Sequence, residues 1–398
     1  MFQNMYFSLD IPVYIHILLG TTLLLTVLCF LWPWMRSRRI ESFSTVHESE
    51  RDYLPEEELP GVSVVVYAHN DAEYLERFLP LIMHQDYPKF EVIVVDDASY
   101  DNSHDILSET AAHFDHLHVT FLPDNTRSLS RKKLCLMMGI KAAHHEVVLT
   151  TNANCRAMSD QWLRLMMRNF TPGIDVVLGY SHYRYHKDRG LGRFYRAFDT
   201  VVTSMQWTGA AITGKPYRGT GDNLAYRRHV FFDNMGFSKN LDLRWGEDDV
   251  FVSEIAHGGN CRLELAPDSQ VHTYFDKISR AHSILKMRRD CTSKRVSSQS
   301  QFLQRGLFSM VNYLRLGCLV AAVALDYSNA LTVAVAGLLL VAAWILSILP
   351  YNKAAMVLQA PGLQLSVPFF NVWRPVVNLY YRVRGSSLKS SNYISIYD

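Results

Sequence analysis

The sequence predicts an α/β protein: a doubly wound sheet in a soluble middle region, with one transmembrane helix before it and two after it. Three observations predict this. From Val62 onward, short aliphatic runs that end in polar residues alternate with amphipathic stretches, the pattern of βαβ units around a parallel sheet. EVIVVDDAS (Glu91–Ser99) is apolar without alternation until it reaches Asp96 and Asp97, as a strand buried on both faces would be. Three further stretches are apolar and long enough to cross about 30 Å of hydrocarbon.

The first of these runs from Ile11 to Met35, without a charged residue, and ends on Trp32 and Trp34 followed by Arg36, Arg38 and Arg39. Met1 to Asp10 has no basic residue, so an anchor (1–39) is expected rather than a cleaved signal peptide. The other two, near Leu307–Leu325 and Ala330–Leu349, form a hairpin (301–350) turned by Asp326, Tyr327 and Ser328. The arginines after the first span put the middle of the chain in the cytoplasm, and Arg374, Arg382 and Arg384 put the tail (351–398) on the same side. Within that tail, Val367–Arg384 mixes aromatics with arginines as a segment in the headgroup layer does, with Pro375 expected to interrupt any helix.

Residues 40–60 are polar, acidic and aperiodic, a linker. In the domain that follows (61–300), VSVVVYAHN is a strand, DAEYLERFLPLIMHQDYP a helix closed by Pro88, and EVIVVDDAS the second strand. SHDILSETAAHF is a helix, LHVTFLP a strand, SLSRKKLCLMMGIKAA a helix and HEVVLTTNANC a fourth strand ending on Asn152 and Asn154. A helix from Ser159, a strand DVVLGYSHY and a helix in RFYRAFDTVVTSM come next. GTGDNLAYRR, the turn GEDD before a helix, the strand CRLELAP and a basic helix HSILKMRRDCTSKR complete the region.

The chain has 398 residues, 48% apolar and 20% charged, enough for two or three structural units. A net charge of +2 gives no electrostatic footprint for nucleic acid, and none is expected as a partner. Six scattered cysteines without CxxC or zinc spacing read as free thiols in a reducing compartment. Ligands of open α/β sheets bind beyond the carboxyl ends of the strands, where Asp96 and Asp97 stand, although two acids before a serine also serve simply to open a turn.

VSVVVYAHN, QDYPKFEVIVVDDASYDNS, a strand ending in a polar triplet, GTGDNLAYRR and GEDD, in that order, resemble a membrane-bound family-two glycosyltransferase from about Val62 to Arg295. The resemblance implies a GT-A fold with a mixed sheet and sugar transfer from a nucleotide-diphospho-sugar, a UDP-sugar foremost. No GxxxxGK[ST] loop or GxGxxG after a strand supports a kinase or dinucleotide-binding alternative. It further implies that Asn70 and Asp97, with Asp96 beside them, contact base and ribose, and that Arg131, Lys132 and Lys133 face the diphosphate. Gly219, Gly221, Asp222 and Asn223 correspond to an acceptor-side loop. In GEDD, Asp248 corresponds to the base that takes the acceptor proton, with Glu247 or Asp249 orienting it; three acids at a helix start also suit the helix dipole.

Two departures stand out. Asn152-Ala153-Asn154 replaces the Asp-x-Asp that holds Mg²⁺ or Mn²⁺ in the family, and amides bring geometry without charge. Three readings stay open: a metal held through Asn oxygens, with Asn154 and the late His272 as ligands; Lys132, Lys133 or Arg156 in its place; or a degenerate, non-catalytic nucleotide-binding or scaffold member of a polysaccharide assembly. Where processive relatives carry Gln-x-x-Arg-Trp, this chain has Arg288 and Arg289 without the Gln or Trp, which argues against a processive polysaccharide synthase and leaves both arginines as diphosphate contacts or as a lipid-facing basic helix. The resulting expectation is an inverting transferase on the cytoplasmic face of a bacterial inner membrane, acting on a lipid-linked or polysaccharide acceptor in cell-envelope synthesis.

Overall fold

The computed structural model describes residues 6–45, 51–126, 128, 130–185, 190–275, 278–296, 299–362 and 366–387. The expected cytoplasmic end of the tail (388–398), and 186–189 within the Arg- and Tyr-rich interval, lie outside the described residues. In chain order the elements are α1 (Val13–Thr45), β1 (Val62–Ala68), α2 (Ala72–Met83), β2 (Phe90–Asp96), α3 (Ser103–His113), β3 (Leu117–Phe121), α4 (Arg131–Ala142), β4 (Val147–Asn152) and β5 (Cys155–Ala157). There follow α5 (Trp162–Met167), β6 (Val176–Gly179), β7 (Ser181–Tyr185), α6 (Leu191–Ile212), β8 (Leu224–Arg227), α7 (Arg228–Asp233), α8 (Asp249–Ile255), β9 (Cys261–Glu264), β10 (Val271–Phe275) and α9 (Ile278–Thr292). The chain ends in α10 (Gln299–Leu325), α11 (Ala330–Val357) and α12 (Val367–Ser387).

The chain divides into two compact units. One comprises 43–189, 207–297 and 381–398 and contains a seven-stranded sheet in the order β3-β2-β1-β4-β8-β6-β9 and a three-stranded sheet β5-β10-β7. Alternation of strand and helix correctly gives the parallel half, β3-β2-β1-β4. The sheet as a whole is mixed, because β8 runs antiparallel to both β4 and β6. DVVLGYSHY is two strands rather than one: the chain leaves the large sheet after Gly179 and enters the small one at Ser181. Val64, Val66, Val92, Val94 and Leu149 are fully buried in a core that also takes Leu75 and Leu79 from α2. α4 docks closely on β1 because Gly139 faces Val65; a Cβ there would lie 2.4 Å from a Val65 methyl. Ser130 caps this helix, its Oγ accepting from the Lys133 N–H at 3.4 Å. Tyr67 pairs in register with Asn152 and Ala68 with Asp96, so β1, β2 and β4 end level with one another, beside the start of α4.

The other unit comprises 1–42, 190–206 and 298–380. It contains three helices long and apolar enough to span a membrane, Val13–Thr45, Leu303–Leu325 and Ala330–Val357. Two boundaries need correction. α1 continues through Arg36–Thr45, so the first part of the expected linker is helix, and residues 191–206 of α6 belong to this unit rather than to an unbroken 61–300 domain. Its Phe198 packs on Tyr351 and Phe370, and its Asp199 pairs with Arg374 at 2.7 Å. Pro375 lies inside α12 and does not break it.

Candidate active site

The ends of β1, β2 and β4 bring the first residues together. Asp97 is buried (3% exposed), with Oδ2 accepting from Tyr67 Oη at 2.8 Å and Oδ1 from Arg131 Nε at 2.7 Å. A carboxylate has about four acceptor positions, so capacity for a ligand remains. Asp96 is tied to Ser99, whose hydroxyl donates to it at 2.5 Å. Asn70 takes a left-handed φ of 53°, and its Oδ1 accepts from the Tyr100 N–H at 2.9 Å, clamping the loop after β2. Beside them, Asp71 is pushed up to about 6, chiefly by burial, against the His69 N–H and the Lys132 charge that favour its ionised form. In the sequence Asp71 stands simply at the start of a helical stretch, with no signal of this burial.

Lys132 is the link to the second half of the site. Its ammonium donates to Asn152 Oδ1 at 2.6 Å, stands 5.0 Å from the Tyr67 ring centroid and 3.8 Å from Glu247 Oε1. Asn152 Nδ2 in turn donates to Asp222 Oδ1 at 2.5 Å, and Thr273 Oγ1 donates to Asp222 Oδ2 at 2.8 Å. Asp222 therefore belongs beside Asn152. Gly221, next to it, gives its N–H to Asp248 Oδ2 at 3.2 Å. An unbroken string of contacts thus joins Asp97 to Asp248, by way of Arg131, the neighbouring Lys132, Asn152, Asp222 and Gly221.

The GEDD turn is made possible by Gly246, at φ 112°, which lets Glu247 and Asp248 enter α8 side by side. Asp248 caps the helix, its Oδ1 accepting from the Asp249 N–H at 2.6 Å. Arg288 of α9 bridges the two acids, 2.6 Å from Asp248 Oδ2 and 3.1 Å from Glu247 Oε1. Burial pushes the Asp248 carboxyl up, but the Arg288 charge and its hydrogen bond outweigh it, with help from the Asp249 and Gly221 amides, and hold it at about 2. Glu247 Oε2 is buried with no hydrogen-bond partner among the described residues. Arg289 follows on the same helix, half-buried.

Three expected site residues turn inward instead. Asp249 is locked between Arg218 (2.9 Å) and the Thr292 hydroxyl (2.5 Å), and burial together with Asp248 raises its carboxyl. Lys133 is fully buried and donates to the carbonyls of Asn240 (2.5 Å) and Leu243 (2.8 Å), bracing the loop before Gly246. Asn223 is also fully buried; it accepts from Trp162 Nε1 at 3.0 Å and donates to the Tyr180 and Ser269 carbonyls. Each is engaged in packing and hydrogen bonds within the protein. Gly219 faces Leu178 and Val252, where a Cβ would come within 3.1 Å of each.

Residues 63–254 match the family described as Glycosyl transferase family 2. They are a family 2 glycosyltransferase domain. Glycosyltransferase AglE of Haloferax volcanii is 26% identical over 194 residues, 47% of this chain and 60% of that protein. A putative teichuronic acid biosynthesis glycosyltransferase, TuaG of Bacillus subtilis, is 34% identical over 67 residues, 17% of this chain and 27% of that protein. The chain thus spans less than two thirds of the length of these curated relatives. Among solved structures, a mannosyltransferase from Pyrobaculum calidifontis in complex with GDP-Man and Mn²⁺ superposes with a TM-score of 0.59 at 20% identity, covering 91% of this chain and 99% of that one. The family 2 domain has the GT-A fold.

The family's divalent cation does not suit the donor set here. Asn152 Oδ1 already holds an ammonium ion, and Asn154 offers only a neutral amide oxygen, its Nδ2 donating to the Tyr274 carbonyl at 2.8 Å. Asp222 is the carboxylate beside them, and among the described residues no three His, Cys, Asp or Glu side chains cluster as a metal site would need. His272, the expected late ligand, packs edge-on against His182 with ring centroids 5.6 Å apart. Strand alternation turns it to the face opposite Thr273, whose hydroxyl reaches Asp222. Arg156 is exposed on β5. Mg²⁺ or Mn²⁺ demands anionic oxygens, and in this cluster the cation is Lys132.

Proposed function

We propose that the family 2 domain transfers a sugar, with inversion, from a nucleotide-diphospho-sugar to a hydroxyl of a lipid-linked or glycan acceptor. The observation that carries this reading is the Lys132 ammonium between the strand ends and the Glu247–Asp248 turn, a cation and a base at one edge of the sheet. The acceptor oxygen attacks the anomeric carbon as its proton passes to Asp248, and the bond from that carbon to the diphosphate oxygen breaks with its electron pair going to the leaving group. Lys132 offsets the charge that develops there, the kind of preorganised electrostatic help that usually dominates such chemistry. Arg288 serves both ends: drawn toward the diphosphate, it frees Asp248 from its partner and makes it a stronger base. Asp97 and Asn70 are proposed contacts of the nucleoside, and Gly221 of the acceptor. The arginines closing the first span support a cytoplasmic site at a bacterial inner membrane.

The test is transfer by the purified full-length chain with a panel of UDP-, GDP- and dTDP-sugars. Asp248→Asn should abolish transfer by a factor of about 10² to 10⁴ while donor binding persists; an equal loss of donor affinity would refute the base assignment. The asparagines at 152 and 154 also motivate a second reading, a non-catalytic nucleotide-binding or scaffold protein. Donor hydrolysis absent both in the wild type and in the Asn152→Asp, Asn154→Asp double variant would favour it.

A further inference from the structure

We propose that the membrane unit binds the phosphate or diphosphate headgroup of a lipid in a cavity formed where its three spanning helices reach the basic side of the bilayer. The cavity, about 660 Å³ including its opening to solvent, lies between α1, residues 202–206 of α6, α10, α11 and α12. All of its lining residues fall within this one unit. Its polar part includes Arg36, Arg305, Arg374, Gln206, Gln304 and Asn378; among the described residues no carboxylate lines it, and Arg374 is already paired with Asp199 at 2.7 Å.

Depth follows from the sequence of the spans. Trp32 and Arg36 close the first span, Gln304 and Arg305 open the second and Tyr351 closes the third, so all three meet at one membrane face. Arg36 sits 5.5 Å above the Trp32 ring and donates to Gln304 at 2.9 Å; Lys353 pairs with Glu41 at 2.7 Å at the same helix ends. Tryptophan and arginine together mark headgroup level. The guanidinium fork matches phosphate oxygens in pairs.

Two polar groups in the unit point to a ligand. Gln206 is 6% exposed, lines the cavity, and its Oε1 has no hydrogen-bond partner among the described residues. Buried amide atoms in native proteins are normally satisfied. Deeper between the same helices a second cavity shares Phe308 and Asn371 with the first and is walled by Phe30, Leu340 and Trp344. It also takes in Arg315, midway along the second span, whose Nε is buried with no partner among the described residues. An intramembrane arginine facing a cavity marks a site for an anion or a polar ligand. A cationic mouth with a chamber beneath it that mixes Phe30, Leu340 and Trp344 with Asn312, Arg315 and Ser347, set among membrane-spanning helices, fits an amphiphile with an anionic head whose hydrocarbon tail runs out between the helices. The proposal is independent of sugar transfer and holds whether or not the domain turns over.

The test uses full-length protein, delipidated in detergent and examined by native mass spectrometry with four probes: polyprenyl phosphate, phosphatidylglycerol, polyprenol and diacylglycerol. The phosphate lipids should bind at least about tenfold more tightly than their uncharged counterparts. Arg36→Gln with Arg305→Gln should erase most of that preference, a loss of about thirtyfold if each arginine contributes about 1 kcal/mol near the surface. Arg36→Lys with Arg305→Lys should retain part of it. Polyprenyl phosphate binding far more tightly than phosphatidylglycerol would identify a carrier lipid, and equal binding a structural phospholipid; both support a phosphate site. Equal binding of polyprenol and polyprenyl phosphate by the wild type would overturn it, and that comparison needs no variant to fold.

Discussion

Replacing Arg288 with glutamine tests the proposed chemistry most directly. In the resting site the arginine lies 2.6 Å from Asp248 and 3.1 Å from Glu247. Holding Asp248 at about 2, against an ordinary 3.8, corresponds to about 2 kcal/mol of preference for the ionised carboxyl. That stability is fully present above the unfolded value of 3.8 and is lost as pH falls toward 2. In Arg288→Gln the burial that pushes Asp248 up remains while the cation that outweighed it is gone, so the carboxyl climbs above its ordinary value. The acid limb of the kcat/KM profile should then move up by about two pH units or more. The rate at neutral pH should also fall by roughly 10- to 100-fold, because leaving-group stabilisation is lost. Arg288→Lys, which keeps the charge, should leave the limb near its wild-type position. The assay is transfer by full-length protein across pH with saturating acceptor and limiting donor. A uniform loss of rate at every pH, with the acid limb unmoved, would show that Arg288 does not control the base.

Two further outcomes follow from the same geometry. Lys132→Met should raise the donor dissociation constant by about tenfold or more with little change in thermal stability, measured by nucleotide titration calorimetry. Wild-type donor binding should be indifferent to EDTA, whereas a strict Mn²⁺ requirement for binding would contradict the lysine's role. Arg218→Met leaves Asp249 buried beside Asp248 without its cation, at a cost of about 3–5 kcal/mol. Because burial and Asp248 already raise the Asp249 carboxyl, this penalty should be largest at high pH and shrink as acid protonates it. A melting-temperature deficit no larger at pH 8 than at pH 5 would count against that account.

Those predictions use residues that the sequence revealed unevenly. The parallel half of the sheet was legible because Val62–Ala68, Phe90–Asp96 and Val147–Asn152 are buried on both faces and read as unbroken apolar runs ending in polar residues. β8 was not, since its four residues follow a glycine-rich turn and its pairing partners, β4 and β6, are distant in sequence. β10 was hidden for the same reason: SQVHTYF has a strand's composition, but its partners Cys155–Ala157 and Ser181–Tyr185 come from segments expected in the large sheet. GEDD marks a turn at a helix start without showing which of its acids is locked inward. Asp248, the cap, and Asp249, the first helical residue, are adjacent, and that single step carries the second carboxylate to Arg218 and Thr292. Likewise Lys132 and Lys133 are adjacent in sequence, yet one helical step of about 100° sends one to Asn152 and the other beneath the loop before Gly246.

The two cations of the site, Lys132 and Arg288, are held differently, and the proposed mechanism gives them different tasks. Lys132 is held by an amide oxygen and a ring face, with Glu247 at 3.8 Å as its recorded ion-pair partner. An incoming diphosphate can therefore recruit it without stranding a closely paired acid. Arg288 has two carboxylates within 3.1 Å, each pair worth a few kcal/mol at an effective dielectric near 20, so moving it leaves Glu247 and Asp248 buried with less compensation. In the proposed mechanism the cheaper cation responds first and sets donor affinity, while the costlier one moves only when the full negative charge of the diphosphate is in place, and its movement raises the basicity of Asp248. Exchanging Asp-x-Asp for Asn-Ala-Asn fits this division: two more carboxylates beside Asn152 would bind Lys132 tightly, and amides leave it available to the donor.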